Sequence, residues 1–134
     1  MTPSEFVDNN SRQVATKMEQ QTGRRCTFDF EAVQWLEAYM RTLRPIEAAD
    51  ARQEQVNLLG AFLGQCLVNT YGGMWAQVDN SWLGVKVGEN VIVAPWRKVE
   101  HFLTGDEAEA PTIFFDVVGS NFAGKIFHEA TYIM

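Results

Sequence analysis

Histidine and cysteine are scarce in this sequence: His101 and His128 are its only histidines, and Cys26 and Cys66 its only cysteines. Neither histidine belongs to a His-x-x-x-His pattern, and there is no Cys-x-x-Cys pair. A zinc site would therefore need ligands drawn from remote, individually unremarkable positions. Two cysteines in separate predicted helices exclude the disulfide framework of small secreted domains, so a reducing, cytoplasmic compartment is the simpler expectation. Cation excess is also lacking: 11 Lys+Arg stand against 17 Asp+Glu, a formal charge of −6. Phosphate backbones and anionic membranes need clustered cations, so neither nucleic acid nor a membrane surface is an expected partner. No apolar run reaches the length of a membrane span, and no basic leader precedes an apolar core. Another protein, of basic character, would suit this charge better.

Recognisable catalytic patterns are missing too. The glycines at 60, 64, 72, 73, 84 and 88 form neither a phosphate-cradling loop nor a dinucleotide fingerprint. Asp29, Glu31, Glu37 and Glu47 are scattered over helix surfaces and make no paired-carboxylate site. His101 sits beside Glu100, but adjacent helical residues point apart and no nucleophile accompanies them. No cofactor, metal or catalytic residue is expected on these grounds. Cys66 falls on an apolar helix stripe as a small buried hydrophobe, whereas Arg24-Arg25 beside Cys26 would lower its thiol pKa and make it the better redox candidate.

What is present is architecture. The length of 134 residues and a hydrophobic share of 46% fit one domain able to bury a sizeable core. Thr2-Pro3-Ser4-Glu5 signals a helix start, and the thin stripe Phe6, Val7, Val14, Met18 predicts a peripheral helix over 1–22, ended by Gly23. Residues 29–71 read as a helical core. Thr27 or Asp29 caps a second helix with Val33, Leu36, Tyr39, Met40 and Leu43 on one face. A third, central helix carries Val56, Leu59, Leu63, Cys66 and Leu67. Gly60 and Gly64 interrupt that helix at a cost of roughly 1 kcal/mol each, which predicts close approach of another backbone. Gly72-Gly73 should end it, one of them left-handed.

Met74–Asp79, Leu83–Val87 and Val91–Ala94 predict a small antiparallel three-strand meander over 74–94, turning at Asn80-Ser81 and Gly88-Glu89-Asn90. Its covered side is assigned Trp75, Val85, Val87, Ile92 and Val78. Pro95 opens a helical or mixed segment over 95–134. Asp106-Glu107-Ala108-Glu109-Ala110 forms an acidic surface loop, and Pro111 starts a helix over 111–121 in preference to a buried strand. The tail, with Phe122, Ile126, Phe127, Tyr132 and Ile133, has no assigned class. The expected fold is α+β, a helical layer packed on a small sheet.

Leu59-Gly60-Ala61-Phe62-Leu63-Gly64-Gln65-Cys66-Leu67, Tyr71-Gly72-Gly73-Met74-Trp75 and Val91-Ile92-Val93-Ala94-Pro95-Trp96-Arg97-Lys98-Val99, with Gly105, resemble small bacterial domains of uncharacterised function. Those share a glycine-containing helix, a Gly-Gly-x-Trp exit, a short meander and a proline-started amphipathic segment. Some small acidic bacterial proteins of this size look like immunity or accessory proteins. The resemblance implies partner binding and supplies no catalytic residue.

Tryptophans near strand ends either seal a small core or present a binding anchor. Trp82 and Trp96, with Asp79 and the acidic Asp106, Glu107 and Glu109, are the candidate protein-binding residues. Gly60, Gly64, Gly72, Gly73, Trp75 and Pro95 are the candidate structural ones. The leading expectation is a non-enzymatic protein-binding domain, an immunity-type inhibitor of a basic partner. The alternatives are a structural or regulatory homo-oligomer and a small-ligand-binding protein or enzyme with an unrecognised site.

Overall fold

The computed structural model describes residues 1–80, 82–123 and 125–134, and for 126–128 the backbone alone. In chain order it has α1 (Pro3–Thr22), α2 (Phe30–Leu43), α3 (Ala49–Tyr71), β1 (Met74–Val78), β2 (Trp82–Val93), α4 (Pro95–Leu103), α5 (Pro111–Asn121) and β3 (Ile126–Ile133). A single 3-10 turn, Glu107–Glu109, precedes α5. This is an α+β protein, as its sequence predicts. None of its described helices is long and apolar enough to cross a membrane.

Local signals set the helix ends. The Thr2 hydroxyl accepts the Glu5 N–H at 3.1 Å, and the Asp29 carboxylate accepts the Ala32 N–H at 3.2 Å, so each satisfies one otherwise unpaired first-turn donor. Gly23 and Gly72 take left-handed φ values of 69° and 68°, closing α1 and α3 where a Cβ would be strained. Pro95 and Pro111 stand in the first turns of α4 and α5, where a missing N–H costs little.

The core forms around α3. Its Val56, Leu59, Phe62, Leu63, Cys66 and Leu67 are buried against Val14 and Met18 of α1, Val33, Leu36 and Met40 of α2, Val99 and Phe102 of α4, and Phe114, Phe115 and Val118 of α5. Each fully buried Leu or Phe contributes about 2 kcal/mol, so this shared cluster outweighs any single polar contact at the surface. Both interior glycines serve the packing, but in a way that differs from the expected backbone approach. A Cβ on Gly60 would lie within the Trp96 indole, and one on Gly64 within the Trp75 indole. Two large rings, not a second backbone, fill the space that the missing side chains leave.

The sheet is mixed, in the order β1-β2-β3. β1 runs antiparallel to the start of β2, from Met74 opposite Lys86 to Val78 opposite Trp82. β2 then doubles back: a Cβ on Gly84 would touch the Ile92 side chain and the Val93 carbonyl, which a straight strand would hold about 30 Å away. The reversal falls at Gly88-Glu89-Asn90, where Asn90 has a left-handed φ of 62°. The expected turn is thus present inside one continuous strand. The tail supplies an unforeseen third strand, β3, which pairs in parallel with the end of β2, Val91 opposite Thr131 and Val93 opposite Ile133.

Val85, Val87, Val91 and Val93 are buried towards the helices. Ile92, expected on that covered side, instead lies with Trp82 over Gly84 on the other face, because alternate residues of a strand point oppositely. The turn before β2 has left-handed Asp79 (φ 49°) and Asn80 (φ 56°). Ser81 and Gly124, and the side chains of Ile126, Phe127 and His128, lie outside the described residues.

Candidate functional site

Along α3, Gln53, Asn57, Gly60 and Gly64 recur at intervals of four, three and four, and so share one helix face of small and polar residues. Trp96, placed at the start of α4 by Pro95, lays its indole on Gly60 and donates its N–H to the Asn57 carbonyl at 3.3 Å. Trp75 of β1 lies on Gly64 and donates to the Gln65 side chain at 3.3 Å. The two indoles meet at 5.3 Å between ring centroids, and Phe6 of α1 reaches Trp96 at 6.3 Å. This aromatic seam ties α1, α3, α4 and β1 together.

An open groove of about 680 Å³ lies at the end of the seam. Phe6, Trp82, Leu83 and Trp96 give it apolar walls, with Met1 and Met134 at its margin, and Gln53, Asn57 and Arg97 give it a polar rim. The Gln53 amide donates to the Asn57 side chain at 2.8 Å, fixing that rim. Trp82 is braced by an edge contact with Tyr132 at 6.1 Å and is partly buried. Two sequence-predicted binding residues, Trp82 and Trp96, thus line one site. Asp79, exposed in the preceding turn, does not line it. Phe6, Gln53 and Asn57 were not singled out from sequence. The glycine spacing on α3 was the signal that could have found them, because it marks the face that receives Trp96.

Asp106, Glu107 and Glu109 lie elsewhere, at the far end of α4, and the structure gives each an internal partner. Glu107 binds Arg41 at 2.6 Å and also Arg44, whose guanidinium stacks over Phe102 at 4.0 Å. Hydrogen bonds from Arg41 and Arg44 hold the Glu107 carboxyl down at about 2. Glu109 pairs with Lys98 at 2.7 Å and faces His101 Nδ1 at 3.6 Å. Burial alone would raise the Glu109 pKa, but the Lys98 hydrogen bond and charge, aided by His101, leave it lowered. Asp106 accepts the Ala108 N–H at 3.1 Å.

Among the described residues His101, Asp106 and Glu109 bring potential metal-ligand atoms within 4.8 Å of one another. The Lys98 ammonium already occupies the Glu109 carboxylate, and a cation entering there would meet its charge. This arrangement reads as a clamp between α2, α4 and the turn before α5.

Cys26 departs from its redox expectation. It is 7% exposed, and burial, followed by the charges of Glu19 and Asp29, raises its thiol pKa despite a lowering hydrogen bond from the Phe28 backbone. Arg24 is turned to Glu31 at 3.0 Å, so its charge serves another group. Cys66 is fully buried, and desolvation pushes its thiol well above the ordinary value. Both thiols are poor nucleophiles in this state.

No protein-family model, curated protein or solved structure gives a significant match to this chain.

Proposed function

We propose that this chain is a protein-binding domain that docks a segment of a partner protein in the groove between Trp82 and Trp96. The observation that carries the reading is the groove's composition: partly buried indoles beside a rim of Gln53, Asn57 and Arg97. Trp and Arg dominate binding hot spots because each offers a large contact area together with a directional polar group. The acidic turn is the weaker docking surface, since Glu107 and Glu109 are already paired. In the finer, immunity-type form of this reading, the captured partner is a basic toxin that docking silences, and the chain's net charge of −6 steers the encounter.

The test is photo-crosslinking from a benzophenone amino acid placed at Gln53 on the groove rim or at Thr104 beside the acidic turn, in cells that produce the chain. A discrete adduct to another polypeptide from Gln53 alone is the expected result. An adduct at the mass of two copies would replace it with the homo-oligomer reading. No adduct from Gln53, or equal adducts from both positions, would sink it.

A further inference from the structure

From the charges around this groove we infer that the docked segment carries a carboxylate beside its apolar anchor, and that Arg97 is the residue that reads it. The inference rests on the docking reading above and adds the chemistry of the occupant. Although the chain has 17 acidic residues against 11 basic ones, no Asp or Glu side chain among the described residues lines the groove. Arg97, exposed and adjacent to Trp96, is the one charged side chain among its described lining residues.

Five of the six other arginines are occupied, and the sixth, Arg25, is exposed between α1 and α2 and does not line the groove. Arg12 pairs with Asp8, Arg24 with Glu31, Arg41 and Arg44 with Glu107, and Arg52 donates to the carbonyls of Ile46 and Glu47. Arg97 has no ion pair or hydrogen bond among the described residues. A planar guanidinium with free donors matches a carboxylate bidentately, which a neutral or cationic group cannot exploit.

The backbone adds to the same potential. Ala94 provides no side-chain cap to α4, and no acidic residue stands in its first turn. Pro95 has no N–H and the Lys98 N–H bonds the Ala94 carbonyl, so among the described residues the Trp96 and Arg97 amides are the free donors at the positive end of α4. Lys98, the next cation, is committed to Glu109 and leaves Arg97 as the reader. An apolar side chain seated between Trp82 and Trp96, with an Asp or Glu one or two positions away, satisfies walls and rim together. The overall negative charge does not conflict with this. At physiological salt a direct contact acts within a Debye length of roughly 8 Å, whereas the net charge governs only the approach.

A random-peptide display library selected on the intact chain tests this. Enriched peptides should place Asp or Glu next to an aromatic or aliphatic residue. Their binding should fall about tenfold with Arg97→Glu, as for reversal of a contact charge. It should fall less with Arg97→Lys, and weaken as salt is raised. The same peptides should be lost with Trp82→Ala, a partly buried position, with thermal unfolding confirming that the variant is folded. Peptides that depend on Trp82 but show no acidic bias, or ignore Arg97→Glu, would overturn the inference and leave groove docking intact. Failure to enrich any Trp82-dependent peptide would overturn the docking reading and this inference with it.

Discussion

Helix α4 has one end in each of two regions that hold it by different physics. At its start, Trp96 is seated on Gly60 and against Trp75, with the indole N–H on the Asn57 carbonyl. From its fourth residue on, Lys98 and His101 meet Glu109, while Glu107 reaches back to Arg41 and Arg44 on α2 and just beyond it. The first contact depends on shape. Each indole fits only because one side chain is missing beneath it, Gly60 under Trp96 and Gly64 under Trp75. The second depends on charge, on surfaces where water competes and exchange between partners is cheap. The contrast separates a region locked by shape from one locked by charge: the tight seam builds one wall of the groove, and the partly buried Trp82 and Arg97, which has no ion pair or hydrogen bond among the described residues, line that groove and not the acidic turn.

Substitutions can break this contrast in order of expected effect. Gly60→Ala and Gly64→Ala should each destabilise the fold by about 2 kcal/mol, because overpacking against an indole exceeds the roughly 1 kcal/mol that alanine adds to a helix. Urea midpoints report this. Destabilisation of the double variant should be less than the sum, since Trp75 and Trp96 touch and shift together. An unchanged or raised midpoint would mean that the rings are not held as described. Next, Lys98→Met should cost about 1–2 kcal/mol by leaving Glu109 partly buried beside His101, and the double variant Lys98→Met with Glu109→Gln should recover most of that loss.

Trp82→Ala should reduce stability by about 1–2 kcal/mol, less than for a fully buried tryptophan, while abolishing partner capture. Loss of both in equal measure would make Trp82 a core residue instead. The smallest effect is expected in acid. The folded Glu107 carboxyl lies near 2, below its ordinary value of 4.5. Its contribution is therefore complete above pH 4.5 and fades as pH falls towards 2. Glu107 is exposed and its pairs are screened, so the contribution is small. Glu107→Gln should leave the pH 7 midpoint almost unchanged and flatten its decline below pH 4.5. A steep, unaltered decline would assign acid sensitivity to other carboxylates.

Much of the fold was legible because its signals are local. Thr2, Asp29, Gly23, Gly72, Pro95 and Pro111 mark helix ends through the hydrogen bonds and φ values that only such residues supply. Three-and-four spacing found the buried faces of α2 and α3, and Pro111 with the same spacing identified α5. The tail resisted assignment: β3 is held by pairing with the end of β2, a partner more than thirty residues away, so its own residues carry little periodic signal. The candidate site was half-legible. Trp82 and Trp96, both singled out from sequence, do line one groove, but Asp106, Glu107 and Glu109, grouped with them, do not line it.

The sequence by itself determined an α+β chain, a glycine-interrupted central helix, its caps and its turns, because each follows from interactions within a few residues. The tertiary structure alone decided what fills Gly60 and Gly64, where the tail pairs, which carboxylates are neutralised, and that Arg97, with no ion pair or hydrogen bond among the described residues, stands beside two tryptophans. Those outcomes depend on which distant side chains meet, and periodicity along one element holds no record of its neighbours.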